Sequence, residues 1–220
     1  SFFRTIAMAA DFNGEVDETL PLLMQFMNRT GHKVMYQEKV GVAADGKLTT
    51  ELEEMPDSTY FGNRYYFQRE GSEQVRTLTY FAVNLQNGSY SSRGGLVAKG
   101  LNDRKDFVAY LNSIDMKATY LKSASYLMHR PTFEIIRNII LDNCTYLLQD
   151  DSGIPIKFFD NSKWDLTYYG HFQKPISLFA ERQQLDLKEA YKGEGVKDLP
   201  FGIGYQYMKG VSNLMKAKRK

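Results

Sequence analysis

The first apolar residues of the chain are spaced as in an amphipathic helix. Hydrophobic side chains recur at helical intervals over residues 22–27, after an acidic start with Pro21 in the first turn. Gly31 follows as a typical C-terminal stop, so a helix is predicted here. The apolar segment Ser1–Phe12 before it is predicted to begin as a strand.

The pattern then changes to the period of two that is typical of strands. From Lys33 apolar and polar residues alternate up to Asp45-Gly46, a dipeptide that favours a tight hairpin turn. A second hairpin is predicted from residues 65–69, the turn 70–74 and a return strand, 75–83, rich in Thr and aromatic residues.

A turn-rich stretch and three helices are predicted for the middle of the chain. Residues 86–100 contain the Gly, Ser and Asn clusters typical of a mobile loop, and they mark the best internal boundary. Helical spacing after this loop predicts helices over residues 103–111, 116–129 and 133–140. Asp103 is expected to cap the first, and the other two are expected to meet at His129, before Arg130-Pro131.

The last third of the chain is predicted to contain strands, a turn and one more helical region. A strand at 145–149, the turn 150–153 and a returning strand at 154–159 are expected, followed by an aromatic strand at 164–172. Pro175 is expected to open a helix that continues or restarts at 185–191, and 199–205 is an extended, glycine-punctuated segment.

Strands that occur in hairpins, with helices between the hairpin groups, predict an α+β fold. The sheet is expected to be mixed but largely antiparallel, with helices packed against it. A single domain over residues 1–220 is the main expectation, and a subdivision into 1–86 and 101–215 is the alternative.

Composition agrees with a globular chain, since 43% of the residues are hydrophobic and 25% are charged. The net charge of +2 depends on the last five residues, which carry +4 and leave the body at −2. We therefore interpret this basic tail as a solvated terminus and expect no nucleic-acid partner. Cys144 is the only cysteine, which excludes an intrachain disulfide framework, and no apolar run approaches the ~20 residues of a membrane span.

Two segments carry candidate catalytic side chains. Lys122, Ser125 and His129 lie close together in sequence, and the last two are four apart, so they would share one helical face. No Gly-x-Ser-x-Gly elbow surrounds Ser125, and a helix-ending role for His129 is the alternative. Asp150 and Asp151 could serve as general acid and base or bind a hard cation, or could simply make a good turn. A hydrolase that joins both segments in one cleft is one functional hypothesis.

Neither a metal nor a cofactor is predicted. His32, His129 and His171 lack the spacing of metal ligands. The segment Phe201-Gly202-Ile203-Gly204-Tyr205 lacks the third glycine, the lysine and the following helix of a phosphate loop, so its glycines are expected to permit close backbone packing.

Aromatic residues form the other candidate site. Trp164, Asp165, Tyr168 and Tyr169 combine aromatic faces with a carboxylate, which suits a sugar ring and its hydroxyls. Tyr65 and Tyr66 are further candidates for such an exposed platform. The alternative is that these rings line the inner face of a sheet.

Three segments, residues 120–129, 148–155 and 199–205, together resemble a group of longer, exported bacterial proteins that are uncharacterised. The resemblance extends from Leu78 to Asn213 and implies a periplasmic or cell-surface location, but no activity, cofactor or catalytic residue. It also suggests that an upstream portion is missing from this chain.

These observations favour an exported bacterial domain with a binding or structural role toward a carbohydrate or another cell-envelope component. The absence of a strong catalytic motif favours a non-enzymatic role over the hydrolase. A subunit of a larger envelope assembly is the third hypothesis.

Overall fold

The computed structural model describes residues 19–53, 62–81, 83–91, 97–121, 124–208 and 210–220. The chain divides into two compact units, one within Arg4–Ser113 and the other comprising Ile114–Lys220. The strand predicted at Ser1–Phe12 lies outside the described residues. The described residues contain four α-helices and ten strands, and antiparallel pairs dominate, which confirms the predicted α+β class.

The first unit contains a four-stranded antiparallel sheet. Its elements are α1 (Thr19–Arg29), β1 (His32–Val42), β2 (Leu48–Thr49), β3 (Gly62–Arg69), β4 (Val75–Phe81), the short pair β5 (Tyr90–Ser91) and β6 (Val97–Ala98), and α2 (Lys105–Ser113). The strand order is β2-β1-β3-β4, so both predicted hairpins are confirmed. The predicted stop of α1 is also confirmed, because Gly31 has a φ of 71°, which suits glycine.

Asp103 does not cap α2 as predicted. It ends a 3-10 turn, Leu101–Asp103, and its carboxylate accepts a hydrogen bond from Ser89 Oγ at 2.6 Å. This hydrogen bond therefore links the preceding loop to the segment just before the helix.

The second unit contains a mixed four-stranded sheet. Its elements are β7 (Ala118–Leu121), α3 (Glu134–Asn143), β8 (Tyr146–Gln149), β9 (Trp164–Gly170), α4 (Leu185–Ala190) and β10 (Asn213–Arg219). The strand order is β7-β8-β10-β9; β7 and β8 run parallel, and the other pairs are antiparallel.

Three predicted elements of this unit are wrong. The described residues within 116–129 form β7, a turn and the 3-10 turn Leu127–His129 rather than a helix, and 154–159 contain the 3-10 turn Ile156–Phe158 rather than a strand. The helix expected at Pro175 is only the 3-10 turn Ser177–Phe179, whereas the restart is confirmed as α4. The segments at 154–159 and after Pro175 are too short for apolar spacing to separate helix from strand. Over 116–129 the pairing of β7 with β8 overrides the helical spacing.

The basic tail is not a solvated terminus, because it forms β10 between β8 and β9. Met215 and Ala217 are buried on its inner side. Arg219 donates hydrogen bonds to the carbonyls of Leu141 and Cys144. The strand was not predicted from the sequence, because its lysines at alternate positions resemble a charge run, which is usually solvated.

No helix among the described ranges is long and apolar enough to cross a membrane.

Candidate functional site

Three segments of the second unit meet beyond the ends of β7 and β8. These two strands are parallel, so the residues that follow them emerge at the same edge of the sheet. The backbone N–H of Ala124 donates to Ser152 Oγ at 2.7 Å, and the Tyr126 hydroxyl donates to the Asp151 carboxylate. The third segment contributes Tyr205, whose hydroxyl lies 2.5 Å from Ser125 Oγ.

The acidic turn at residues 150–153 is buried and bonded to itself, as its composition predicts. The Asp150 carboxylate accepts hydrogen bonds from the backbone N–H and the hydroxyl of Ser152, at 3.0 and 2.5 Å. The backbone N–H of Gly153 donates to the carbonyl of Asp150 at 3.1 Å. The turn is therefore a rigid structural support, and its two carboxylates do not form an open pair.

Asn213, the first residue of β10, locks Asp151 in place. Its side-chain oxygen accepts from the Asp151 N–H at 2.7 Å, and its Nδ2 donates to Asp151 Oδ1 at 2.9 Å. Burial raises the pKa of Asp151 to about 6, and the hydrogen bonds from Tyr126 and Asn213 oppose that rise. The nearby Asp150 carboxylate also raises it. The pKa of Tyr126 is in turn raised well above its ordinary value by burial and by Asp151, so its hydroxyl stays protonated.

Ser125 and Tyr126 lie in the left-handed region of backbone space, with φ of 54° and 56°. They are the only two non-glycine residues with positive φ in the described part of the chain. Such a conformation costs roughly 1–2 kcal/mol for each residue. The buried ring of Tyr126 sustains it, since that ring is fixed by Asp151 and packs 4.9 Å from the ring of Phe179. Strain that is held in this way is concentrated at functional sites.

The hydroxyl of Ser125 lies at the accessible rim of this cluster. Ser125, His129, Phe179 and Tyr205 are all half-buried, in contrast to the fully buried acidic turn. The centroid of the Tyr205 ring lies 5.5 Å from that of Phe179, so two packed aromatic rings lie beside the hydroxyls of Ser125 and Tyr205.

His129 is held near the same turn in its neutral form. It ends the 3-10 turn Leu127–His129, and its ring lies 5.1 Å from that of Tyr126. Burial, together with the charges of Arg182 and Lys157, lowers its pKa to about 4. Gln184 Nε2 lies 3.4 Å from His129 Nε2 and 2.9 Å from the Asp151 carbonyl, so this amide bridges the imidazole and the acidic turn.

The glycine-punctuated loop packs directly on the acidic turn. Gly204 has a φ of 75°, and a Cβ at this position would lie 2.3 Å from Asp150 Oδ2. Close packing is thus the role of this glycine, in agreement with the sequence. This approach places Tyr205 beside Ser125.

The structure brings together four of the five predicted catalytic candidates: Ser125, His129, Asp150 and Asp151. Lys122 lies outside the described residues. Sequence reasoning did not single out Tyr126 or Tyr205 as site residues, although both belong to the segments that carry the resemblance. Gln184 and Asn213 had no sequence signal, because they reach the site only through tertiary packing.

No group of three or more His, Cys, Asp or Glu side chains that could hold a metal ion occurs among the described residues.

The aromatic candidates do not share one surface. Trp164 is only 4% exposed, against Phe159 and the Arg219 guanidinium, so its predicted exposure is wrong. Neighbouring residues of a strand point to opposite faces, which places Asp165 and Tyr169 on the outer face, away from Trp164 and Tyr168.

The other two rings belong to the first unit. Tyr65 is fully buried, so its predicted exposure is also wrong, and the half-buried Tyr66 donates from its hydroxyl to Glu38 at 2.7 Å. Both rings therefore take part in packing within β3 and its neighbours.

No protein-family model, curated protein or solved structure matches this chain.

Proposed function

We propose that the second unit is a hydrolase in which Ser125 is the nucleophile toward an ester or amide. The observation that carries the proposal is the left-handed turn at Ser125, which holds a half-buried hydroxyl 2.5 Å from that of Tyr205. Nucleophilic serines are typically presented by sharp, strained turns between a strand and a helix. Here the turn follows β7 and precedes a 3-10 turn, and no flanking glycines are needed because the buried Tyr126 fixes it.

The hydroxyl pair supports a proton relay. Ser125 Oγ would form a bond to the acyl carbon while its proton passes to the Tyr205 oxygen, and Tyr205 would pass its own proton to the leaving alcohol or amine. Water would then attack the acyl-serine with the relay reversed, which releases the acid and restores both hydroxyls. His129, neutral at pH 7, is the second group near the turn that can accept a proton.

Asp150 and Asp151 have a positioning role in this proposal. Both are buried and engaged within the turn or with Tyr126 and Asn213, so they hold the Ser125 turn instead of meeting the substrate. This assignment differs from the acid–base role that the sequence suggested for them. The resemblance to exported bacterial proteins adds an extracytoplasmic location to the proposal.

Covalent labelling with a fluorophosphonate tests the nucleophile. The full chain is expected to be labelled at Ser125, as mapped by peptide mass spectrometry, and Ser125→Gly should abolish the label while accepting the left-handed backbone. Ser177→Ala, which removes an exposed serine of the same unit, should leave labelling unchanged. Tyr205→Phe should slow labelling at least tenfold.

If the folded wild-type chain is never modified at Ser125, the assignment of Ser125 as the nucleophile is refuted. The emission of Trp164, the single tryptophan and a buried one, verifies that each variant of this unit is folded. The carbohydrate-binding hypothesis has weaker support, because its main residue, Trp164, is inside the core.

A further inference from the structure

The outer face of the second sheet carries tyrosines and lysines in register. Tyr146 of β8 pairs with Lys218 of β10, and in the next row Leu148 pairs with Lys216. Tyr120 of β7 pairs with Leu148 in that second row. Since cross-strand partners point to the same side of a sheet, these side chains form one surface, here called the tyrosine–lysine face.

The rings of this face are open to solvent. Tyr120, on the edge strand β7, is 50% exposed, and Tyr146, the first residue of β8, is 40% exposed. Tyr169 of β9 extends the surface on the far side of β10, where it is half-buried. Rings on three strands therefore flank the central strand on both sides.

The charge of the face is positive. Lys218 Nζ lies 6.0 Å from the centroid of the Tyr146 ring, and Lys197 Nζ lies 5.8 Å from that of Tyr169. Asp165 of β9 is the cross-strand partner of Lys218 on this face, and its carboxylate lies 3.5 Å from Lys220 Nζ. The four lysines Lys197, Lys216, Lys218 and Lys220 outnumber this one carboxylate. Lys218 thus lies next to the exposed ring of Tyr146, and Lys216 lies in the neighbouring row, which also contains Tyr120.

No nucleic-acid partner was expected because the basic tail was interpreted as a solvated terminus. The tail instead forms the strand β10 inside the sheet. A disordered basic terminus offers charge alone, whereas a central strand holds its lysines on a rigid surface at fixed distances from aromatic rings. Cations that bind a phosphate backbone, combined with rings on which bases stack, are the features that bind single strands.

We propose that the tyrosine–lysine face binds single-stranded nucleic acid, with Lys216 and Lys218 on phosphates and with Tyr120 and Tyr146 stacked on bases. A duplex hides the faces of its bases, and an anionic polymer without aromatic rings would leave the tyrosines unused. The face is distinct from the Ser125 turn, so this proposal does not depend on the hydrolase.

Fluorescence anisotropy with labelled 15-nucleotide dT and rU strands tests the proposal on the full chain. The double variant Lys216→Glu with Lys218→Glu should weaken binding more than tenfold. Each lysine–phosphate contact contributes ~0.7 to the magnitude of the slope of log affinity against log salt, so the loss of two contacts should reduce that magnitude by about 1.4. Tyr146→Ala should weaken binding roughly five- to a hundredfold, as expected for loss of one stacked base. Trp164 emission verifies the fold of each variant.

The matched control is Lys188→Glu with Lys192→Glu, which changes net charge equally at α4. This helix packs on the inner side of the sheet, where Leu187 and Tyr191 meet Tyr168, and the control should bind within twofold of wild type. The proposal would be overturned by no binding at 50 mM salt, by equal losses in the control, or by an unchanged affinity in Tyr146→Ala. Competition by polyglutamate as strong as by the oligonucleotide would also reject it in favour of charge alone.

Discussion

The buried carboxylate of Asp151 gives a pH dependence that can be calculated from the structure. Its pKa is about 6 in the folded protein and 3.8 ordinarily, a difference that corresponds to about 3 kcal/mol. Because the folded pKa is raised, the folded state binds the proton more tightly than the unfolded state between pH 3.8 and 6. The contribution of Asp151 to the free energy of unfolding therefore falls as pH rises through this window and is constant above it.

Asp151→Asn isolates this effect. Its Oδ1 can still accept from Asn213 and its Nδ2 can donate to the Tyr126 oxygen, whereas the Tyr126 hydroxyl proton loses its acceptor. This loss lowers stability equally at every pH, so it does not change the pH dependence. The free energy of unfolding of the variant, relative to wild type, should rise by up to about 3 kcal/mol between pH 4 and pH 7. Asp165→Asn, which neutralises an exposed carboxylate of the same unit, controls for the change in net charge.

Urea titrations followed by Trp164 emission measure this difference at several pH values. Trp164 lies in the same unit as Asp151 and is buried, so its emission reports the unfolding of that unit. A difference between Asp151→Asn and wild type that stays flat from pH 4 to pH 7 would refute the reasoning, because it would mean that burial does not penalise the charged carboxylate.

Three further substitutions test the packing of the site. Gly204→Ala should destabilise the second unit by at least 2 kcal/mol more than Gly210→Ala in urea titrations: both have positive φ, but only the Cβ at 204 meets another atom within 4 Å. Ser125→Gly should be more stable than Ser125→Ala by about 1 kcal/mol in the same assay, since both lose the hydroxyl bonded to Tyr205 and only glycine relieves the left-handed backbone; equal stabilities would contradict the strain assigned to the turn. Arg219→Ala should lower the midpoint of thermal unfolding by several degrees, because three carbonyls lose a donor, whereas Lys218→Ala on the exposed side should not.

The candidate site shows what a local pattern can and cannot predict. The acidic turn was predictable, because Asp150 and Ser152 make a turn by bonding their own backbone. The proximity of Ser125 to this turn was expected only as a hypothesis, and the helix that was predicted to place Ser125 and His129 on one face does not form in the described residues. The partnership with Tyr205 depends on residues 80 positions apart, which no local spacing reveals.

The sequence by itself determined the elements whose signals are local. The helix α1, both hairpins of the first unit and the strand β9 follow from apolar spacing, glycine stops and turn dipeptides, and so does the α+β class. Each of these signals comes from residues that are neighbours in the chain, so the physics that forms the element acts within the segment that encodes it.

Only the tertiary structure decided the roles of β7, β10 and Trp164. A four-residue strand gains its hydrogen bonds from a distant partner, and the lysines of β10 are tolerated because they alternate with Met215 and Ala217, which the sheet buries. Trp164 becomes core instead of surface because the strand turns it toward Phe159. In all three cases the deciding contacts join residues far apart in sequence, and such contacts leave no periodic signal in the segment itself.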